Sequence, residues 1–154
     1  MVTPREDLRE GRPLDATEFA VHLDQIKDGH APIDYQDPER FFERTYLTKN
    51  LLELSSEVVR RLSGKQVETN AVFNMTTQFG GGKTHALALL FHLAKGGAKA
   101  NSWKGVPFIR LKAQLDKIPE ASIAIFVGQK FDPRGGHDGT PLRRTPWGEI
   151  AWQL

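Results

Sequence analysis

The residues with the plainest chemical potential are consecutive: Gly80, Gly81, Gly82, Lys83 and Thr84. Glycine lets a backbone enter the left-handed region and approach an anion with no Cβ in the way. Successive N–H groups of such a turn form a concave nest, and a helix starting there adds the positive end of its dipole. Lys83 supplies a mobile cation for the β and γ phosphates of a nucleoside triphosphate. The Thr84 hydroxyl can ligate the Mg²⁺ that bridges them. His85 follows at once and closes the candidate cofactor-binding set Gly80, Gly81, Gly82, Lys83, Thr84 and His85. ATP and Mg²⁺ are the cofactors expected.

The P-loop template is Gly, four residues, Gly-Lys, then Ser or Thr, between a strand and a helix. The first glycine would fall at 77, where the chain has Thr77; Gly80 and Gly81 offer compensating turn freedom. Gly-Lys-Ser/Thr alone arises by chance in roughly one chain of this size in ten. Flanking glycines, an apolar run before and an amphipathic run after raise the reading above the ordinary one, a glycine-rich turn with an exposed lysine.

Other chemistry is thinner. His85 and His92 are seven residues apart, whereas helical metal ligands favour i, i+4, so both read as packing or surface histidines. His22, His30 and His137 have no ligand-spaced partner. The absence of cysteine excludes disulfides, thiolate metal sites and a Cys nucleophile. A hydrolysing P-loop ATPase ends a later strand with an acidic residue. Here the later apolar run, 121–127, is followed by Gly128-Gln129, and Asp132 lies in the loop beyond. Hydrolysis by this chain alone is therefore doubtful. Arg143 and Arg144 could face phosphate or DNA, but a solvated loop is the preferred account.

The elements that must position the turn follow from periodicity. Asp15 and Glu18 make a capping box, and Leu14 and Phe19 a staple, for a helix ending at Asp28-Gly29. Asp37-Pro38 starts a short helix holding Phe41 and Phe42. Thr48 starts another, with Leu51, Ser55, Val58 and Leu62 on one face and Ser63-Gly64 as its stop. Residues 70–75 and 121–127 read as buried strands. A helix runs from Lys83 to about Lys95, with Leu87, Leu90, Phe91 and Ala94 inward. Further helices are expected over 107–117 and from Thr145-Pro146 onward. Helices, strand, glycine loop, helix, strand is a βαβ beginning, which implies a parallel sheet. The expected fold is thus α/β: a helical segment over 1–66, then the start of a P-loop domain over 67–154, incomplete for want of further strands.

Length and composition are those of one soluble globular domain: 154 residues, 39% hydrophobic and 26% charged. No run approaches membrane-spanning length, and the N-terminus lacks a signal-peptide core. The expected location is the cytoplasm. Net charge is +2, but residues 1–70 carry 10 basic and 14 acidic side chains, and residues 96–154 carry 9 and 5. The basic half could face nucleic acid, although a solvated surface explains it more simply.

Four stretches together resemble a known family. They are Phe41 to Thr48, Arg61-Leu62-Ser63-Gly64, Thr77-Gln78-Phe79-Gly80-Gly81-Gly82-Lys83-Thr84-His85, and Arg144 to Trp152. They are similar to the start of a family of large prokaryotic, AAA+-like P-loop ATPases catalogued as domain of unknown function four-nine-nine. The likeness covers about residues 4 to 154, and Thr77 is normal for it. It implies the phosphate and Mg²⁺ roles for Gly80 to Thr84, and an acidic catalytic strand beyond Leu154. It also implies a role beside DNA methylases and helicases in restriction or phage-defence systems, with DNA or a DNA-modifying protein as partner. AAA+-like proteins often hold adenine upstream of the first strand, where Arg44 to Thr48 lies.

Three functions are thus in competition. One is an ATP-binding N-terminal segment of an ATPase, with oligomerisation open. The second is a non-catalytic DNA- or protein-binding module. The third is an inactive truncated remnant.

Overall fold

The computed structural model describes residues 21–64, 70–76, 82–135, 139 and 141–154. The staple and capping box around Asp15 lie outside those residues.

Helix α1 spans Leu23–Asp28. The His22 N–H donates to Gln25 Oε1 at 3.0 Å, and Gly29, at φ 80°, ends the helix. The single turn α2 (Ile33–Gln36) leads into α3 (Pro38–Arg44). There the Asp37 carboxylate accepts the Arg40 N–H at 3.1 Å, the cap the sequence predicts. Helix α4 covers Lys49–Leu62, and Thr48 Oγ1 accepts the Leu51 N–H at 3.3 Å. Its inner face carries Ser55, Ser56 and Val59, while Leu62 is 42% exposed. The predicted face is therefore turned by about a residue. The two serines admit a close neighbour, and their hydroxyls return to the carbonyls of Leu51 and Leu52, so neither is left unpaired.

Helix α5 runs Lys83–Gly96 and is the centre of the molecule. Ala86, Ala88, Leu89, Phe91, His92, Leu93 and Ala94 are all buried, so the helix is covered on nearly every side. Helices α1 and α4 pack on it. A 3₁₀ stretch (Gly97–Ser102) connects to α6 (Val106–Ala113), which lies against α4. Arg60 of α4 donates to the carbonyls of Lys112 (2.7 Å) and Ala113 (3.3 Å), capping the end of α6 from a neighbouring helix. After 3₁₀ turns at Gly128–Lys130 and Pro141–Arg144, α7 spans Pro146–Gln153, with Thr145 Oγ1 accepting the Gly148 N–H at 3.0 Å.

One core joins these elements: Ile26, Phe41, Phe42, Val59, Leu89, Leu93, Trp103, Val106, Ile109 and Ile118 belong to a single buried cluster. It draws on both sides of the 66/67 division expected between segments.

The expected incomplete parallel sheet is overturned. Among the described residues there is no strand, and the arrangement is helical rather than the α/β P-loop (AAA+-like) sheet anticipated from βαβ order. Residues 70–76 are irregular, and Val72 is 81% exposed. In 121–127, Ile123 and Ile125 do turn to the core, as the alternation requires. A strand, however, is defined by a neighbour that exchanges backbone hydrogen bonds with it. Here the packed side of Ile123 and Ile125 meets helices, so the apolar run is satisfied without a ladder. The 70–75 run is mostly exposed and the 121–127 run is packed without a ladder, so a short apolar run alone fixes neither burial nor its form.

Candidate functional site

Gly82 is the N-cap of α5 and sits at φ 75°, ψ 12°, in the left-handed region. An added Cβ would meet none of the described residues within 4 Å, so among these residues glycine serves the backbone bend rather than a tight contact. Ala86 N–H to Gly82 C=O, at 2.9 Å, is the first helical bond. The N–H groups of Lys83, Thr84 and His85 precede it and have no i−4 carbonyl in the helix. No acidic residue stands in this first turn. Lys83 and Thr84 are both half-buried. The turn thus gathers backbone donors, a lysine and a hydroxyl, and its own residues include no carboxylate. Gly80 and Gly81 lie outside the described residues, as does Thr77.

His85 points inward. Its ring lies 4.7 Å from that of Phe41 and 5.9 Å from that of Tyr35. Nε2 is 3.1 Å from Thr45 Oγ1. Since Thr45 donates its own hydroxyl proton to the Phe41 carbonyl at 2.7 Å, it is the histidine Nε2–H that donates to Thr45. Burial pushes the His85 imidazole below its ordinary pKa. The His92 ring also lies against Phe41, at 5.2 Å, and donates from Nε2 to the Tyr35 carbonyl at 2.8 Å. Burial lowers its pKa too, opposed in part by that backbone bond. Both histidine rings pack against Phe41, the first of the two roles, packing or surface, that their spacing left open. Among the described residues no cluster of three or more His, Cys, Asp or Glu could hold a metal. Mg²⁺, which keeps several waters and takes phosphate oxygens, needs only the Thr84 hydroxyl from such a turn.

The Thr45–His85 bond ties the turn to a second feature. Arg44, Thr45, Tyr46 and Leu47, with Gly105 and Phe108, line a mostly apolar cleft of about 360 Å³. Tyr46 and Phe108 are 84% and 66% exposed on its rim. Lys104 crosses the rim to the Glu43 carbonyl at 2.8 Å. The sequence offered Arg44 to Thr48 as an adenine-holding stretch, and the fold brings Thr45 to the first turn of α5. The aromatic contribution of Phe108 had no sequence signal, because it arrives from α6.

The remaining charges are largely engaged elsewhere. Asp132 accepts from Arg134 N–H and Nε in its own turn, at 2.9 and 3.1 Å. Arg143, expected in a solvated loop, bonds Glu149 at 2.7 Å and lies over the Trp152 ring, 4.4 Å from its centroid. Lys130 pairs with Asp24, and Lys112 with Glu53 at 3.6 Å. Much of the basic excess of the C-terminal half therefore faces carboxylates. Among the described residues no helix is long and apolar enough to cross a membrane.

No curated protein and no solved structure matches the chain. Residues 5–120 match the family model of the DUF499 N-terminal domain. The match takes in the glycine turn, the His85–Thr45 contact and all of helices α1 to α6, and on it the chain belongs to the DUF499 N-terminal domain family.

Proposed function

We propose that this chain binds the phosphates of ATP, with Mg²⁺, at the first turn of α5. The observation that carries the proposal is the left-handed Gly82, which delivers Lys83 and Thr84 into the opening turn of a long buried helix free of acidic residues there. In that arrangement the Lys83 ammonium faces the β and γ phosphates, backbone N–H groups hold their oxygens, and Thr84 contributes one oxygen to Mg²⁺. Gly80 and Gly81 precede Gly82 in the sequence. The adenine would lie in the cleft of Thr45, Tyr46 and Phe108, held by apolar and aromatic contact. His85 positions that cleft against the turn through Thr45 rather than touching the nucleotide. The proposal concerns binding; it assigns no residue of this chain to hydrolysis. The setting we infer, from the resemblance in the Gln78 to His85 string, is a cytoplasmic ATP-dependent system acting near DNA, of the phage-defence kind.

Calorimetric titration with ATP·Mg²⁺ tests it. The wild-type chain binds; Lys83→Ala and Thr84→Ala lose most affinity while keeping the wild-type circular dichroism. The reading fails if wild type shows no heat of binding, or if Lys83→Ala binds as well as wild type. Thermal shift gives an independent readout, since ligand at a hundred times Kd stabilises by about 2.7 kcal/mol.

A further inference from the structure

Helix α7 is fastened to the molecule differently from the helices before it. Helices α1 to α6 each place a side chain in or against the buried cluster, whereas α7 places none there among the described residues. Gly148 is its buried residue, and Trp147 and Trp152 are 80% and 51% exposed. Gly148 is covered by the Pro141–Arg144 turn, whose Leu142 carbonyl leaves no room for a Cβ. Arg143 of that turn bonds Glu149 at 2.7 Å and lies over the Trp152 ring, and Thr145 caps the helix. Turn and helix are thus built largely on each other.

The outward ties converge on one side chain. The Ile125 N–H donates to Gln153 Oε1 at 2.9 Å, and Gln153 Nε2 donates back to the Ile125 carbonyl at 3.0 Å. Lys27 Nζ donates to the same Oε1 at 2.6 Å. Among the described residues, these are the hydrogen bonds that join α7 to anything beyond its own turn. Glu149 holds the amide in place, accepting from Nε2 at 3.0 Å. Bonds of this kind are exchanged for bonds to water at a small net cost, whereas apolar surface drawn from a core is not. Arg143, Glu149, Trp152 and Gln153 form one wall of a cleft of about 530 Å³, with α1 and Phe126 to Asp132 opposite.

We propose that residues 141–153 are a latch on this cleft, with Gln153 as its catch. The latch releases as one cooperative unit while the core stays folded, because a segment with few buried apolar contacts opens at lower cost than the core. Release removes one wall of the cleft and uncovers the Ile125 peptide group. Once off, an eight-residue helix is too short to stay wound in water. Glu149 is a positioning residue for the catch.

Native-state hydrogen exchange on the whole 154-residue chain tests this. In wild type, the amides of Glu149, Ile150, Ala151 and Ile125 are expected to exchange through one shared opening. After correction for intrinsic rates, that opening is at least about a hundredfold more frequent than the one that exposes Leu89 and Leu93. Gln153→Ala should quicken exchange at Glu149, Ile150 and Ala151 about tenfold, for the loss of two or three hydrogen bonds, and leave Leu89 and Leu93 unchanged. Alanine is the better helix former, so a faster rate reports the lost catch and not a weaker helix. Exchange of the α7 amides together with Leu89 and Leu93 overturns the proposal. So does a gradient that falls from Gln153 back to Glu149, which is unwinding from one end, or a wild-type rate at Glu149 to Ala151 in Gln153→Ala. The wild-type measurement decides by itself should the variant not fold.

Discussion

His85 donates its Nε2 proton to Thr45 Oγ1 at 3.1 Å, because the Thr45 hydroxyl has already given its own to the Phe41 carbonyl. Forty residues of sequence separate the partners, and the bond joins α3's end to the turn that opens with Gly82. The pair should behave as one unit. Thr45→Val and His85→Ala are each expected to lower stability in urea by about 1–3 kcal/mol, and the double variant by less than the sum. Additive losses in a double-mutant cycle would show that the two act separately.

Both buried histidines bear on pH dependence. His85 and His92 are depressed below the ordinary value of 6.5 by burial. In the folded chain they hold fewer protons than in the unfolded chain, so stability rises with pH through that window. The contribution is complete above about 6.5, the unfolded-state value, and is lost as pH falls from there through the lower folded-state values. Melting temperature followed from pH 8 to pH 5 should drop, and His92→Gln should flatten the curve. A wild-type profile with no fall over that range would contradict the assigned protonation.

Gly82 separates backbone strain from steric clash, since its φ is 75° and a Cβ there meets none of the described residues. Alanine pays only the left-handed penalty, about 1–2 kcal/mol, and asparagine, which visits that region more readily, pays less. ATP affinity should therefore rank glycine, asparagine, alanine, valine. A flat ranking in the same calorimetric titration would mean that the bend is not needed for binding.

Gly148 is the opposite case. A Cβ at this first-turn position of α7 would lie 1.6 Å from the Leu142 carbonyl oxygen. Gly148→Ala must push α7 off the Pro141–Arg144 turn, a cost of about 1–3 kcal/mol or more. The shift also withdraws Gln153 from Ile125. Hydrogen exchange at the Ile125 amide should quicken in Gly148→Ala while the core amides of Leu89 and Leu93 stay protected. Unchanged exchange at Ile125 would detach the two features.

The helices were legible because their ends are written locally. Asp37, Thr48 and Thr145 each cap where the pattern placed them, and Gly29 and Gly82 stop and start helices in the left-handed region. The glycine turn was legible for the same reason. The sheet was misread because strand pairing is a property of two segments, and no local signal says whether the second exists. Ile123 and Ile125 announce burial equally well against helices. Ser55 packs inward as expected, but the face of α4 is turned toward Ser56 and away from Leu62; the Ser56 hydroxyl bonds its own helix and so can be buried although it is not apolar. Arg143 was missed as a partner of Glu149, and Phe108 as part of a cleft, because both depend on how distant elements meet.

Helix α5 has a consequence beyond holding its first turn. It is about 21 Å long at 1.5 Å per residue, and at its far end the Ala94 carbonyl accepts the Ala121 N–H at 3.0 Å. Gly82 and the 121–127 segment are thus fastened to opposite ends of one strut that the core grips along its length. One helix and one backbone hydrogen bond therefore join the lysine end to Ala121. By reciprocity, anything that pulls on 121–127 should alter affinity at Lys83 by the same factor that nucleotide alters the pull.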